Sequence, residues 1–332
     1  SIGSGAYSVA TTGTYNIAFG HVAMGGAATI GANNIALGTT AMDALTSGAC
    51  NIAMGLNALG AATIASINVA LGQNALGGVT TGGTHQNVAI GDCAMYGAAA
   101  TVANHNIAIG SYTHKGITTG TTNIAFGYNA MRCTTIGNCN IAIGCETMGS
   151  ITVEQVDYNV AIGSAALKGS ASTTGDGNVA IGTQAMASLT TGYSAVAIGC
   201  DAGYKATTAD RFVAIGPSAL CCATQGIQNI AIGLQSMGAV TTGQADKNIA
   251  IGVQALQGNA STSGNNNIAI GEDTMDALTT GACNIAMGIN ALGASQAGTY
   301  NIAMGKLALG AGNVAGNNNI AIGQLALTAA TT

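Results

Sequence analysis

Nine cysteines and four histidines are the residues of this sequence best suited to metal or redox chemistry. Cys133, Cys139 and Cys145 are spaced by six residues, whereas zinc ligands typically come in pairs with two to four residues between them. No Cys-x-x-Cys or His-x-His pair occurs. The spacing favours free or buried thiols that behave as small apolar side chains, with disulfides within or between chains and a metal site as the alternatives. We therefore predict neither a metal site nor a cofactor.

The acidic side chains also lack the arrangement that catalysis requires. Glycoside hydrolysis needs two carboxyl groups that face each other across a groove. Glu272 and Asp273 are instead adjacent in the chain, and Glu146 stands alone. The sequence also lacks a phosphate-binding loop, a nucleophile elbow and a His-Glu-x-x-His motif. We predict no catalytic residue and no enzymatic activity.

The composition points to an architecture other than an ordinary globular domain. Glycine accounts for 51 of the 332 residues, only 6% of residues are charged, and 48% are hydrophobic. Disordered chains show the opposite balance. A formal net charge of −5 without a basic cluster argues against nucleic acid as a partner. Gly, Thr or Asn interrupts every apolar run, so we expect no insertion into a membrane.

The composition follows from a repeat that fills the chain. The motif Asn-Ile-Ala-apolar-Gly recurs in 18 copies at intervals of 17 to 19 residues, with Val in place of Ile in six of them and without the Asn in two. We number each repeat from its glycine, as position 0. The chain begins inside a further copy that ends at Gly3, so residues 1–332 are expected to be one repeat array cut from a longer protein. The position 0 glycines are Gly20, Gly38, Gly55, Gly72, Gly91, Gly110, Gly127, Gly144, Gly163, Gly182, Gly199, Gly216, Gly233, Gly252, Gly271, Gly288, Gly305 and Gly323.

Within a repeat, apolar residues at −3 and −1 alternate with Asn at −4 and Ala at −2. A period of two is typical of a strand, and the glycine permits a sharp turn. Leu or Met at +4 predicts a second short strand after that turn. Units this small bury their apolar side only when stacked. We therefore predict an all-β fold, a parallel β-solenoid of about 18 coils with the large apolar side chains inside.

The Asn at −4 occurs in 16 of the 18 copies. Identical Asn side chains stacked in register can form a hydrogen-bonded ladder. The alternative is that each Asn caps only its own turn.

If the large apolar residues point inward, the invariant Ala at −2 points outward. Small side chains let backbones approach closely, and a contiguous apolar stripe usually marks an interface. We therefore expect a homotrimer with alanines near its axis. The candidates are Ala36, Ala53, Ala70, Ala89, Ala108, Ala125, Ala142, Ala161 and Ala180.

The repeat resembles that of bacteriophage tail fibres, in which Asn-x-Ala-x-Gly-x-x-Ala-Leu units run in tandem. It is also similar to the head repeats of YadA-like trimeric autotransporter adhesins, which are shorter. The likeness extends from Gly3 to Leu327. It implies a left-handed, homotrimeric β-roll on an extracellular fibre, located on a virion or a cell surface.

We therefore expect a structural and adhesive fibre shaft that attaches to a host surface receptor, with a glycan among the candidates. An autotransporter-type adhesin head is the close alternative. An ice-binding solenoid and a glycan depolymerase are the alternatives of other classes. Receptor contacts are expected where the repeat becomes irregular, and the candidates there are Tyr112, His114, Lys115, Tyr204, Lys205, Asp210 and Arg211.

Overall fold

The computed structural model describes residues 1–9, 12–79, 83–97, 102–152, 156–240, 245–258, 262–310 and 316–328. The chain forms two compact units, an N-terminal unit (Ser1–Thr173) and a C-terminal unit (Thr174–Thr332). Each is a parallel β-solenoid, and the described residues contain no helix. This confirms the prediction of an all-β fold that forms a parallel β-solenoid.

Every repeat contributes one strand of three residues, from −3 to −1. The strands of the N-terminal unit are β1 (Ile17–Phe19), β2 (Ile35–Leu37), β3 (Ile52–Met54), β4 (Val69–Leu71), β5 (Val88–Ile90), β6 (Ile107–Ile109), β7 (Ile124–Phe126), β8 (Ile141–Ile143) and β9 (Val160–Ile162). Those of the C-terminal unit are β10 (Val179–Ile181), β11 (Val196–Ile198), β12 (Val213–Ile215), β13 (Ile230–Ile232), β14 (Ile249–Ile251), β15 (Ile268–Ile270), β16 (Ile285–Met287), β17 (Ile302–Met304) and β18 (Ile320–Ile322).

Within each unit, consecutive strands pair in parallel with equivalent positions opposite each other. Ala125 lies opposite Ala142 between β7 and β8, for example, and Ala214 lies opposite Ala231 between β12 and β13. Repeats of 17 and 19 residues keep the same register because the extra residues lie between strands. Each repeat position therefore forms a column of like side chains along the unit.

The predicted orientation of the strand was wrong. The alanine at −2 is at most 3% exposed in all 18 strands, whereas the residues at −3 and −1 are exposed or half-buried throughout. The alanines expected at a trimer interface are therefore buried in their own chain and cannot contact another copy. These are Ala36, Ala53, Ala70, Ala89, Ala108, Ala125, Ala142, Ala161 and Ala180, each at 0% exposure.

The narrow interior of the turn explains this orientation. The Leu or Met at +4 is fully buried in turns such as those of Met131 and Met148. It fills the part of the interior that faces the alanines. Close packing continues at the far end of the turn, where a methyl group added at Gly48 would lie 2.7 Å from Leu45 Cδ1. Small side chains fit on the strand side of such an interior, so the larger apolar residues point outward.

No second strand forms at +4. Residues at +2 and +4 have positive φ in almost every repeat, as at Asn129 (58°) and Met131 (51°). The amide of Asn129 donates to the carbonyl of Ser111 in the preceding turn, and that of Met131 donates to the carbonyl of Thr147 in the following turn. The left-handed conformation costs on the order of 1 kcal/mol per residue, and these hydrogen bonds to both neighbouring turns offset it.

The glycine at position 0 is required by close approach between turns as well as by its backbone conformation. Gly144 has a φ of +137°, and a Cβ there would lie 2.5 Å from the carbonyl oxygen of Gly163 in the next turn. Any side chain would therefore separate two stacked turns. This explains why position 0 is glycine in every copy.

The predicted Asn ladder is confirmed. Asn140 Nδ2 donates to Asn123 Oδ1 at 3.1 Å and to the carbonyl of Val156 at 2.7 Å. The Oδ1 of Asn140 accepts from the backbone amide and Nδ2 of Asn159. Each buried amide is thus satisfied by its neighbours, as buried polar groups must be. The same contacts recur through the N-terminal unit and between Asn248, Asn267 and Asn284.

The ladder is interrupted at Ala195 and Phe212, and the structure gives a reason for the second. Phe212 is fully buried and stands where other repeats carry Asn. Its ring occupies space that Gly203 leaves empty, because a Cβ on Gly203 would lie 2.9 Å from Phe212 Cζ. Gly203 is at +4, where other repeats carry Leu or Met. The two departures from the repeat therefore compensate for each other in the core.

We expect the pair Gly203 and Phe212 to be strongly coupled. Gly203→Leu alone should be destabilising because the new side chain collides with the Phe212 ring. Phe212→Asn alone should leave a cavity, of the kind that costs roughly 3–5 kcal/mol when Phe becomes Ala. The double variant Gly203→Leu/Phe212→Asn restores the common pair and should regain most of the loss. Urea unfolding of the four proteins measures the coupling, and additive losses would contradict the compensation.

Candidate functional site

The candidate site lies on the corner of the coil that follows the strand, at positions +1 to +5. Side chains at +2 and +5 of successive turns are neighbours there, because the turns stack in register. In the N-terminal unit, Tyr112 and Asn129 occupy +2 in successive turns, and Lys115 and Arg132 occupy +5. Most other repeats have a small residue at +5. This stretch is therefore the part of the corner with the longest side chains.

These side chains line a groove that we call the rim groove. One part, of about 230 Å³, is lined by Tyr112, Lys115, Tyr128, Asn129 and Arg132. The next part, of about 160 Å³, shares Asn129 and Arg132 with the first. It is completed by Glu146, Gly149, Ser150 and Lys168.

The first part of the rim groove is aromatic and basic. The rings of Tyr112 and Tyr128 meet edge to face, with 6.2 Å between their centroids and an interplanar angle of 88°. Lys115 Nζ lies 5.0 Å from the centroid of Tyr112, within the range of a cation–π contact. Tyr128 remains 53% exposed and Arg132 is exposed as well. An aromatic surface and a guanidinium are thus both open to a ligand.

The second part contains an ion pair. Lys168 Nζ lies 2.8 Å from Glu146 Oε2, and this hydrogen bond together with the lysine charge lowers the pKa of Glu146. Both side chains are about 40% exposed, so the pair adds little to stability. At the opposite end of the groove, the negative charge of Asp92 raises the pKa of the Tyr112 phenol. Carboxylates therefore lie on either side of the pair Lys115 and Arg132.

The predicted receptor contacts near residue 112 divide into two groups. Tyr112 and Lys115 both line the rim groove, and their role in binding stays a prediction. His114 is fully buried at +4, inside the core, so it cannot contact a receptor. Neither ring nitrogen of His114 has a hydrogen-bond partner within the described structure. Its inclusion among the receptor contacts was wrong, because +4 is an inward position.

The second predicted group is divided between the corner of its turn and the segment after the return loop. Lys205 is exposed and Tyr204 half-buried on the corner of their turn. Arg211 lies after the return loop, where its Cζ is 5.6 Å from the ring centroid of Tyr193. Asp210 accepts a hydrogen bond from the backbone amide of Tyr193 at 3.2 Å. Asp210 and Arg211 thus contact the preceding turn, and their part in receptor binding stays a prediction.

The sequence reasoning missed Tyr128, Asn129 and Arg132, all from the turn after Tyr112. The irregularity of one repeat drew attention to residues 112–115, whereas Arg132 lies in a regular repeat. Arg132 could be recognised from its repeat position and not from any irregularity of its own repeat. Lys115 and Arg132 are 17 residues apart, which is one repeat period, so both occupy +5 in successive turns. Two successive cations at +5 could have been found from that spacing.

All nine cysteines are free thiols. The Sγ atoms of Cys221 and Cys222 lie 3.2 Å apart, and burial together with this contact raises the pKa of Cys221 to about 12. Among the described residues, no group of three or more His, Cys, Asp or Glu side chains could hold a metal ion.

No protein-family model matches this chain, and neither does any curated protein or solved structure. The likeness to fibre repeats therefore depends on the motif itself. In the part of the chain that the structure describes, no helix is long and apolar enough to cross a membrane.

We expect His114 to make the N-terminal unit sensitive to acid. Burial lowers its pKa from 6.5 to about 3, so the unfolded chain takes up a proton that the folded chain excludes. Stability should be unaffected above pH 6.5 and should fall by about 1.4 kcal/mol per pH unit between pH 6.5 and 3. His114→Met introduces the residue found at +4 in both neighbouring turns and should remove this loss.

The measurement is the free energy of unfolding of both proteins at neutral and mildly acidic pH. Carboxylates titrate equally in the two proteins and cancel in the difference. An equal loss of stability in the wild type and in His114→Met would show that His114 is not the acid-sensitive group.

Proposed function

We propose that this chain is the shaft of a structural and adhesive fibre, a left-handed homotrimer on the outside of a virion or a cell. The observation that carries the proposal is the outward face of the β-sheet. Its two columns at −3 and −1 consist of Ile, Val, Leu, Met and Phe, and they run the length of each unit. The motif resemblance to phage tail fibres supports the same reading, and an autotransporter-type adhesin head is its close alternative.

This outward face is too large and too apolar for a protein that remains a monomer. Phe126 is 52% exposed, Met54 43% and Ile143 38%. Each strand places two such side chains on the face, over nine strands in each unit. Soluble monomers seldom expose a continuous apolar patch above roughly 300–600 Å². A partner therefore covers the face.

Further copies of the same chain fit this face best. Its columns have a constant spacing between turns, so an identical neighbour offers side chains at matching intervals, whereas an unrelated partner does not. No charged residue occurs at −3 or −1 in any strand. The trimer predicted from the Ala stripe is thus retained with a different interface, made by the residues on either side of each alanine.

The energy of association explains why the array is long. Completing the burial of one half-exposed side chain is worth on the order of 0.5–1 kcal/mol. Two such side chains on nine strands give on the order of 10 kcal/mol per unit, comparable with the 4–15 kcal/mol that association costs. A few turns would not hold copies together, whereas tens of turns do. A long repeat array is therefore a suitable design for a fibre.

The other function classes fit the face less well. Ice binding would use a regular array of Thr side chains, but the outward face of the sheet carries aliphatic and aromatic side chains instead. A glycan depolymerase requires paired carboxylates across a groove. Among the described residues that line the rim groove, Glu146 is the one carboxylate, and it is paired with Lys168. Attachment to a host receptor without cleavage is the function we propose.

The test of assembly is a charge introduced on the outward face. A variant with Ile198→Lys, Ile251→Lys, Met287→Lys and Met304→Lys places one cation in each of four strands, all at side chains that are 37–38% exposed. The lysine stems can stay along the sheet while the ammonium groups reach water, so the fold should survive. Assembly should weaken by at least tenfold because charges would be buried without partners.

The control carries the same four added charges at exposed loop positions of the same unit: Thr191→Lys, Thr208→Lys, Gln225→Lys and Thr280→Lys. Sedimentation equilibrium gives the mass of each protein. We expect a trimer for the wild type and the control, and smaller species for the outward-face variant. A monomeric wild type, or equal masses for the two variants, would contradict the proposed interface.

A further inference from the structure

We propose that the rim groove binds a saccharide that carries a carboxylate group. This inference rests on the adhesive function proposed above and assigns it a place and a ligand chemistry. The site is Tyr112, Lys115, Tyr128, Asn129 and Arg132, with Glu146 and Lys168 continuing it along the corner.

The cations select an anionic ligand. Three of the seven Lys and Arg residues of the chain lie in this groove, on a protein whose net charge is −5. Lys168 is paired with Glu146, whereas Lys115 contacts the Tyr112 ring and forms no ion pair with another described residue. Arg132 lines both parts of the groove. A guanidinium in this position can hold a carboxylate through two parallel hydrogen bonds.

The remaining groups select a sugar as the carrier of that carboxylate. Tyr128 offers a ring that is 53% exposed, against which the apolar face of a pyranose can pack. The Asn129 amide can both donate to and accept from ring hydroxyls. Asp92, near the Tyr112 phenol, and Glu146, beside Lys168, supply acceptors on either side of Lys115 and Arg132. Pockets for drug-sized ligands measure about 300–1,000 Å³, so each part of the groove suits a single ring.

Other anionic ligands fit this arrangement less well. A nucleic acid backbone would meet the net negative charge of the chain and the carboxylates of Asp92 and Glu146. A peptide commonly binds through an open sheet edge or an apolar groove, and the lining of the rim groove is mostly polar. A carboxylated sugar uses the cations, the aromatic ring and the amide together.

The groove also lies apart from the face that we propose for assembly. It is built from positions +1 to +5 of the N-terminal unit, whereas the outward face is built from −3 and −1. The four assembly substitutions described above are all in the C-terminal unit. Binding in the groove and assembly of the fibre can therefore be measured separately.

The experiment is calorimetric titration of the full chain with two carboxylated probes, tetragalacturonate and sialyllactose. These distinguish a uronic acid from a sialic acid as the source of the carboxylate. Maltotetraose and lactose are the neutral controls. We expect one carboxylated probe to bind, with an affinity that falls as ionic strength rises. Neither neutral sugar should bind.

Two variants test the site. Arg132→Gln should weaken binding by at least tenfold because the ionic hydrogen bonds are lost, and Tyr128→Ala should weaken it through the loss of the ring. Both positions are exposed, so the fold should be retained, and chromatographic size checks this. The matched controls are Lys247→Gln and Tyr158→Ala, an exposed cation and an exposed tyrosine outside the groove, and they should bind as the wild type does.

Failure of both carboxylated probes to bind, or wild-type affinity in Arg132→Gln and Tyr128→Ala, would overturn the groove assignment. So would equal affinity for the neutral sugars. The outward-face variant with four lysines should keep its affinity for the probe. A monomeric wild type that still binds the probe would contradict the proposed fibre assembly and leave the saccharide site standing. A trimer that binds neither carboxylated probe would contradict the proposed saccharide site and leave the fibre assembly standing.

Discussion

The width of the coil is the constraint on which the rest of this structure depends. One turn contains so little interior space that every strand places an Ala inside it, preceded at −4 by Asn in all but two turns. The larger Leu or Met enters from the opposite side, at +4, as at Met131. Alternation along the strand then forces the residues at −3 and −1 outward. The burial of an alanine thus decides which face of the sheet meets the surroundings.

Stacking satisfies the polar groups that such a thin coil buries. The Asn at −4 bonds to the Asn of the turns before and after it and to the carbonyl at the end of its own turn, as at Asn140. The corner amides bond alternately to the preceding and the following turn. Almost every such bond joins neighbouring turns, so one turn alone would leave them unmade. The repeat is therefore stable only as part of an array.

The sequence was sufficient for the repeat and for the strand before each glycine, because spacing alone determines them. The Asn ladder was one of two predicted alternatives, and the second strand predicted at +4 does not form. It was insufficient for orientation, since a period of two identifies two faces without saying which is inside. The general preference for large apolar cores favoured Ile143 over Ala142, and the narrow coil reversed it. His114 was expected on the surface for a different reason, because it departs from the Leu or Met that most repeats carry at +4. Arg132 could have been found from its 17-residue distance to Lys115, whereas the match between Gly203 and Phe212 required coordinates.

The central claim is that the −1 column faces outward and is covered by other copies, and the natural methionines report on it directly. Met54, Met287 and Met304 lie at −1 and are 37–43% exposed, whereas the eight at +4, such as Met131 and Met148, are fully buried. The measurement is hydroxyl-radical oxidation, read by mass spectrometry, of the assembled protein and of the chain dissociated but still folded. The account predicts that the three −1 methionines are protected in the assembly and oxidised after dissociation, while the +4 methionines stay protected in both. Oxidation of the +4 methionines before those at −1, or no change at −1 on dissociation, would contradict it.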